Sequence, residues 1–129
     1  MQFSTTLRNA CLDVIETTVG TAAKLNVYTG TGPGVANAAT GTLLVSLTLP
    51  SDWMASATGG TKSLTGTWQN SSASANGVPG YFRILDSTGT TVYVEGTAAV
   101  GSGELNFAAN IAQAFSVTVT SFTLTGGNP

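Results

Sequence analysis

From residue 24 onward, apolar side chains recur at every second position, and Gly-, Ala- and Ser-rich stretches interrupt the pattern every few residues. A period of two places alternate side chains on opposite faces of an extended strand. "KLNVYT" at 24–29 carries Leu25 and Val27 in phase. "TLLVSLTL" at 42–49 sets Leu43, Val45, Leu47 and Leu49 on one face and Leu44, Ser46 and Thr48 on the other. "SLTGTWQ" at 63–69 aligns Leu64, Gly66 and Trp68, a spacing that assigns Trp68 to the core. "ELNFA" at 104–108 reads as a short strand. "FSVTVTSFTLT" at 115–125 alternates Phe115, Val117 and Val119, then changes frame to Phe122 and Leu124. A one-residue change of frame predicts a bulge or bend near Ser121.

One segment has the other period. In "STTLRNACLDVIETTV" at 4–19, Leu7, Ala10, Cys11, Val14, Ile15 and Thr18 fall three and four residues apart and form one apolar stripe, with Leu12 off it. Ser4 is placed to cap the N-terminus of this helix and Gly20 to stop it. The stripe predicts a helix that either packs on the domain or reaches out to a neighbour. Cys11 lies on the stripe, which predicts a buried, inert thiol. Asp13 and Glu16, three apart, are expected on the exposed side.

The connections at 30–41, 70–80 and 98–103 are too short to separate domains, and no internal repeat is present. A chain of 129 residues suits one domain. The expected architecture is therefore a single all-β domain over 1–129, a β-sandwich of jelly-roll or immunoglobulin-like type at 24–129 with one N-terminal α-helix at 4–19.

"GYFRILDSTGTTVYVEG" at 80–96 gathers most of the functional-looking side chains. "DSTGT" suits a three-residue hairpin loop with Gly89 in the left-handed region. That loop pairs Asp86 with Thr90, Ile84 with Val92, Phe82 with Val94, Arg83 with Tyr93 and Tyr81 with Glu95. Phe82, Ile84, Val92 and Val94 then face the core. Tyr81, Arg83, Tyr93 and Glu95 share the outer face, with Arg83 stacked on Tyr93 and diagonal to Glu95. This face is the candidate protein-contact patch, because Tyr and Arg commonly anchor interfaces.

Candidate chemistry is sparse. The chain has no histidine, so Ser-His-Asp and Cys-His arrangements are excluded. One cysteine allows no intramolecular disulfide and supplies too few ligands for a Cys-based metal site. The carboxylates Asp13, Glu16, Asp52, Asp86, Glu95 and Glu104 suggest no pair facing across a cleft. Asp86 reads as a turn residue and Asp52 as a turn or cap. "GTGPG" at 30–34 lacks the Lys-Ser or Lys-Thr that would complete a phosphate loop. No catalytic residue, cofactor or metal site is expected, and the chain reads as a non-enzyme. Trp53, after a Pro-Ser-Asp turn, is the candidate exposed aromatic, on which a sugar-binding platform would depend.

Only 8% of residues are charged, against about 25% in typical proteins. The four cations, Arg8, Lys24, Lys62 and Arg83, are scattered, which argues against nucleic-acid binding. No apolar run is long enough to span a bilayer, and the N-terminus lacks the pattern of a secretory signal. A surface this poor in Lys and Glu resembles an interface.

Taken in order, "FSTTLRNACLDVIETTVGTAAKLNVYTGTGP", "GTLLVSLTLPSDWMASATGG", "LTGTW", "GYFRILDSTGTTVYVEGT" and "VTSFTLTGGNP" resemble small structural proteins of tailed bacteriophages and prophages. The resemblance spans nearly the whole chain and carries no catalytic motif. It implies a capsid cement (decoration) protein on the outer surface of the virion, binding the major capsid protein and itself as a dimer or trimer, with no nucleic-acid or membrane partner. A module of the tail or fibre that binds host-surface carbohydrate is the alternative.

Overall fold

The computed structural model describes residues 1–127; Asn128 and Pro129, the last two residues of the expected domain, lie outside the described residues. Helix α1 spans Thr5–Val19, followed by strands β1 (Lys24–Tyr28), β2 (Leu43–Thr48), β3 (Thr61–Ser63), β4 (Gln69–Asn70), β5 (Tyr81–Leu85), β6 (Val92–Val100), β7 (Leu105–Phe107) and β8 (Val117–Thr125). The fold is mainly β with one N-terminal helix, as the periodicity predicts.

The strands form one curled sheet in the order β2-β1-β5-β6-β7-β8-β3, with β4 also paired to β8. The curl returns the far end of the sheet to its first strand. Asn70 Nδ2 donates to the Ser46 carbonyl at 2.7 Å, and Ser74 N–H donates to the Leu44 carbonyl at 2.8 Å. The two halves of the sheet thus face each other across one core, a β-sandwich-like arrangement. A chain of rings crosses that core. Phe82 meets Phe122 edge-on at 5.5 Å, Phe122 lies 5.4 Å from Trp68, and Trp68 lies 5.9 Å from Trp53. Both indole N–H groups are bonded, Trp53 to the Gly20 carbonyl and Trp68 to the carbonyls of Trp53 and Thr65.

Most neighbouring strands are antiparallel, but β6 and β7 run parallel, with Ala98, Ala99 and Val100 opposite Leu105, Asn106 and Phe107. Parallel pairs ordinarily need a crossover of a dozen residues or more. Here four suffice, because Gly101 (φ 71°) and Gly103 (φ 84°) take left-handed conformations that fold the chain straight back. The frame change in β8 is a bulge, as expected. Ser121 pairs with Asn106 and Val119 with Phe107, so Thr120 has no opposite residue. Three details depart from the alternation. Residues 63–69 do not form one strand but leave β3, bend, and re-enter as β4. Leu44 is buried, because residues 74–77 cover the outer face of β2 there. Phe115 is 70% exposed, preceding the first residue of β8.

The ends of α1 fall where the sequence places them. Ser4 Oγ accepts from the Leu7 N–H at 3.2 Å, and Gly20 (φ 89°) closes the helix by donating to the Glu16 carbonyl. Of the apolar stripe only Ile15 packs on the core; the rest faces outward, the second of the two expected dispositions. Leu12 and Val19 are buried, whereas Leu7, Cys11 and Val14 are exposed. Cys11 is therefore not a buried thiol, and Asp13 and Glu16 do not simply face water. The reason is Lys62 on β3, a buried cation that demands anions. Its Nζ lies 2.8 Å from Asp13 Oδ1 and 3.1 Å from Glu16 Oε2, and it donates to the Ala55 carbonyl at 2.9 Å. Glu16 Oε1 also accepts the N–H groups of Trp53 and Met54, and Asp13 Oδ1 accepts that of Ala57. Desolvation pulls Lys62 toward the neutral form, but its bonds to the two carboxylates prevail and hold its pKa above the ordinary 10.5. The Lys62 and Ala57 bonds hold Asp13 below its ordinary 3.8. Charge pairing, together with Leu12, Ile15 and Val19 packed on the domain, fixes which face of α1 meets the sheet, and Leu7, Cys11, Val14 and Thr18 of the stripe are left outside.

Candidate functional site

Strand β5 sits between β1 and β6 and is buried along its whole length. Phe82 and Ile84 face the core. The opposite face, the expected contact patch, is not open. The loop at 29–42 lies across it as a strap, held by polar bonds to Tyr81, Arg83 and Glu95.

The hairpin register explains how these three meet. Asp86 N–H donates to the Thr91 carbonyl, so the loop holds four residues rather than three. Gly89 is left-handed (φ 73°), as expected. Ile84 pairs with Val94 and Leu85 with Val92, leaving Tyr93 as a bulge without a partner. Beyond the bulge the pairs are Arg83 with Glu95, Phe82 with Gly96 and Tyr81 with Thr97. The expected register is thus displaced by two residues. An even displacement keeps each side chain on its own face, so Arg83 and Glu95 still share one, now directly opposite. The turn itself is set by Asp86. Its carboxylate accepts from the backbone of Thr90 and Thr91 and from the Thr88 hydroxyl, which hold its pKa down to about 2.

Arg83 is 3% exposed and bonded through Nε and Nη2. Its Nε donates to Glu95 Oε2 at 2.8 Å, and its Nη2 donates to the strap carbonyls of Gly34 at 3.1 Å and Asn37 at 2.9 Å. Glu95 Oε1 accepts the Gly34 N–H at 2.7 Å. Gly32 lets the strap come this close, since a Cβ there would overlap the Glu95 carboxylate. Tyr81 is also buried. Its hydroxyl donates to the Thr40 carbonyl at 2.6 Å and accepts the Thr40 N–H at 2.9 Å. Its ring stacks on Tyr28 at 4.9 Å, and the Arg83 guanidinium lies 6.0 Å from its centre.

Of the four patch residues, the structure therefore brings together Tyr81, Arg83 and Glu95, under cover. Tyr93, 42% exposed, stands apart because the bulge turns it away; it lines a groove with Val14, Thr18 and Val94 of the helix–sheet junction. Trp53 is not an exposed aromatic. It is wholly buried, held by Glu16 and Gly20 at the end of α1.

A cleft beside the strap is lined by Gly32, Tyr81, Glu95, Thr97 and Glu104. Its two carboxylates are bonded to the chain itself: Glu95 as above, and Glu104 to the backbone and hydroxyl of Thr97. Among the described residues no group of three or more Cys, Asp or Glu side chains is placed to hold a metal ion, and no helix is long and apolar enough to cross a membrane.

The sequence reading missed two features. One is the strap, whose Gly, Ala, Asn and Thr residues have no period to read. The other is the docked face of α1, which centres on Leu12 and its charged neighbours rather than on the stripe. The signal for the second was present, since Arg8, Asp13 and Glu16 all lie off the stripe around Leu12, and three charges in a chain with so few needed partners. Comparison with protein-family models, with curated proteins and with solved structures returns no significant match.

Proposed function

We propose that this chain is a non-enzymatic structural protein of a tailed-phage virion, a cement protein that binds across neighbouring major capsid protein subunits on the outside of the head. The segments that resemble phage structural proteins motivate the reading. The observation that carries it is the character of the surface. Lys62 and Arg83 are buried in ion pairs, which leaves Arg8, bonded to the Gly126 carbonyl, and Lys24, bonded to Thr48, as the remaining cations. Leu7, Val14, Val35, Val78, Val100 and Phe115 stay exposed. A surface with few cations and many single apolar side chains has the composition of an interface rather than of a nucleic-acid-binding face.

The mechanism is mechanical. A rigid domain seated over a junction between subunits adds buried area to that junction. Many copies on one lattice make each weak contact effective through avidity. The reading that the chain is a carbohydrate-binding tail or fibre module loses its main support with the burial of Trp53. Imaging intact particles at a resolution that traces this chain tests the proposal. Many copies on the outer shell are expected. A few copies confined to the tail would overturn it, and binding of the purified protein on a glycan array would favour the carbohydrate reading instead.

A further inference from the structure

Helix α1 buries one narrow apolar face, Leu12, Ile15 and Val19, and turns its charges to the domain beside it. Arg8 turns to the Gly126 carbonyl, and Asp13 and Glu16 turn to Lys62. The opposite face carries Leu7, Cys11, Val14 and Thr18, spaced four, three and four residues apart. That is the spacing of a seam by which one helix packs on another. Yet Leu7 is 48% exposed and Val14 59%, and Cys11 and Thr18 are exposed too. Among the described residues α1 is the only helix, so nothing within the fold matches the seam.

We propose that the seam is covered by α1 of a second copy, packed antiparallel about a two-fold axis. Charge complementarity selects this occupant. The first turn of α1 has no acidic residue and the last turn no basic one, so the helix's own side chains compensate neither end of its dipole. An antiparallel pair sets each positive N-terminus beside a negative C-terminus. The seam itself carries no charge, so pairing it with itself desolvates no ion. Shape agrees. Two grooves run beside the ridge on the side where Ile15 meets the domain, one of about 220 Å³ lined by Leu7, Cys11, Leu12 and Ile15 with Gly126, the other of about 260 Å³ lined by Val14, Ile15, Thr18, Tyr93 and Val94. A face with both ridge and grooves can dock on its own copy, as an isologous contact requires.

The symmetry fixes the register. Leu7 lies opposite Thr18 of the second copy, and Cys11 opposite its Val14. The two Cys11 side chains then sit three residues of helical rise apart, about 4.5 Å along the axis, within reach of a short bis-maleimide.

Sedimentation equilibrium of the full chain, with bis-maleimide cross-linking at Cys11, tests this. A reversible dimer that cross-links through Cys11 is expected. Val14→Lys should abolish both the dimer and the cross-link while leaving the melting temperature of the monomer unchanged, since Val14 is exposed. Thr18→Lys is the second variant, with the same expectation, should the first fail to fold. Phe115→Lys, at an exposed apolar residue outside the seam, should leave the dimer intact. A monomer at every concentration, a dimer that survives both seam variants, or an oligomer that does not cross-link would each overturn the proposal. The measurement uses isolated protein, so its outcome is independent of whether the chain binds a phage head.

Discussion

Replacing Arg83 with Met removes the bond to Glu95 and the two bonds to the strap carbonyls of Gly34 and Asn37. It leaves the Glu95 carboxylate, whose side chain is 11% exposed, with the Gly34 N–H alone. Breaking a buried pair in this way costs about 3–5 kcal/mol, because the remaining charge stays desolvated. The strap can lift and hydrate its two carbonyls, which puts the expected loss near the lower figure, about 3 kcal/mol. For a chain of this size that lowers the melting temperature by about 10 °C. Glu95→Gln keeps the Gly34 bond through its amide oxygen but aims an amide donor at Arg83 Nε, and about 2–3 kcal/mol is expected. The double variant removes both charges at once, so it should lose less than the sum of the single changes by at least about 1.5 kcal/mol. Urea unfolding followed by the fluorescence of the buried Trp53 and Trp68 measures all four corners of the cycle. Hydrogen exchange at Gly34 and Thr40 should accelerate in both single variants before exchange in β1 and β5 changes. Additivity within about 0.5 kcal/mol, or single losses below about 1 kcal/mol, would refute the claim that this pair is a buried latch and class it with surface ion pairs.

Three further outcomes follow from contacts already described. Asp86 has a depressed pKa of about 2, so it contributes stability that is present above its ordinary 3.8 and is lost as pH falls through about 2; the stability gap between the native chain and Asp86→Ala should therefore narrow on acidification across that window. Lys62 has a raised pKa, so its contribution is complete below 10.5 and is lost only as pH rises through the higher folded value; the gap between the native chain and Lys62→Met, read by urea melts, should hold to pH 10.5 and shrink above it. At Gly80 a Cβ would overlap the Gly30 backbone, so Gly80→Ala should cost about 2 kcal/mol or more, whereas Gly127→Ala, with open space around it, should be neutral by thermal melting.

What was legible in the sequence is what local chemistry decides. Ser4 and Gly20 mark the ends of α1 because a cap needs a side-chain oxygen at one end and a left-handed residue at the other. The frame change between Val119 and Phe122 marks a bulge because the period of two allows no other continuous strand. What was not legible depended on distant partners. The orientation of α1 is set by Lys62, far along the chain and unremarkable as a surface lysine until it is buried. The hairpin register turned on Tyr93, and an apolar alternation with a bulge reads the same as one without. The burial of Tyr81 and Arg83 depends on a loop with no periodicity of its own. Their shared face with Glu95 was readable, and its cover was not.

Strands β3 and β4 have an ordering consequence. Both pair with β8, near the other end of the described chain, and α1 docks on β3. Helix α1 therefore gains its seat only after β8, more than ninety residues later in the chain, is made. Until β8 arrives, Phe122 is missing from the row of rings that covers Trp68, and β3 has no strand against which to present Lys62 to the helix. Closure across so long a stretch of sequence is the kind of step that slows folding. It also ties α1 to β8 through β3, so that a change loosening β8 should be registered first at α1, where Asp13 and Glu16 would lose the lysine that orients them.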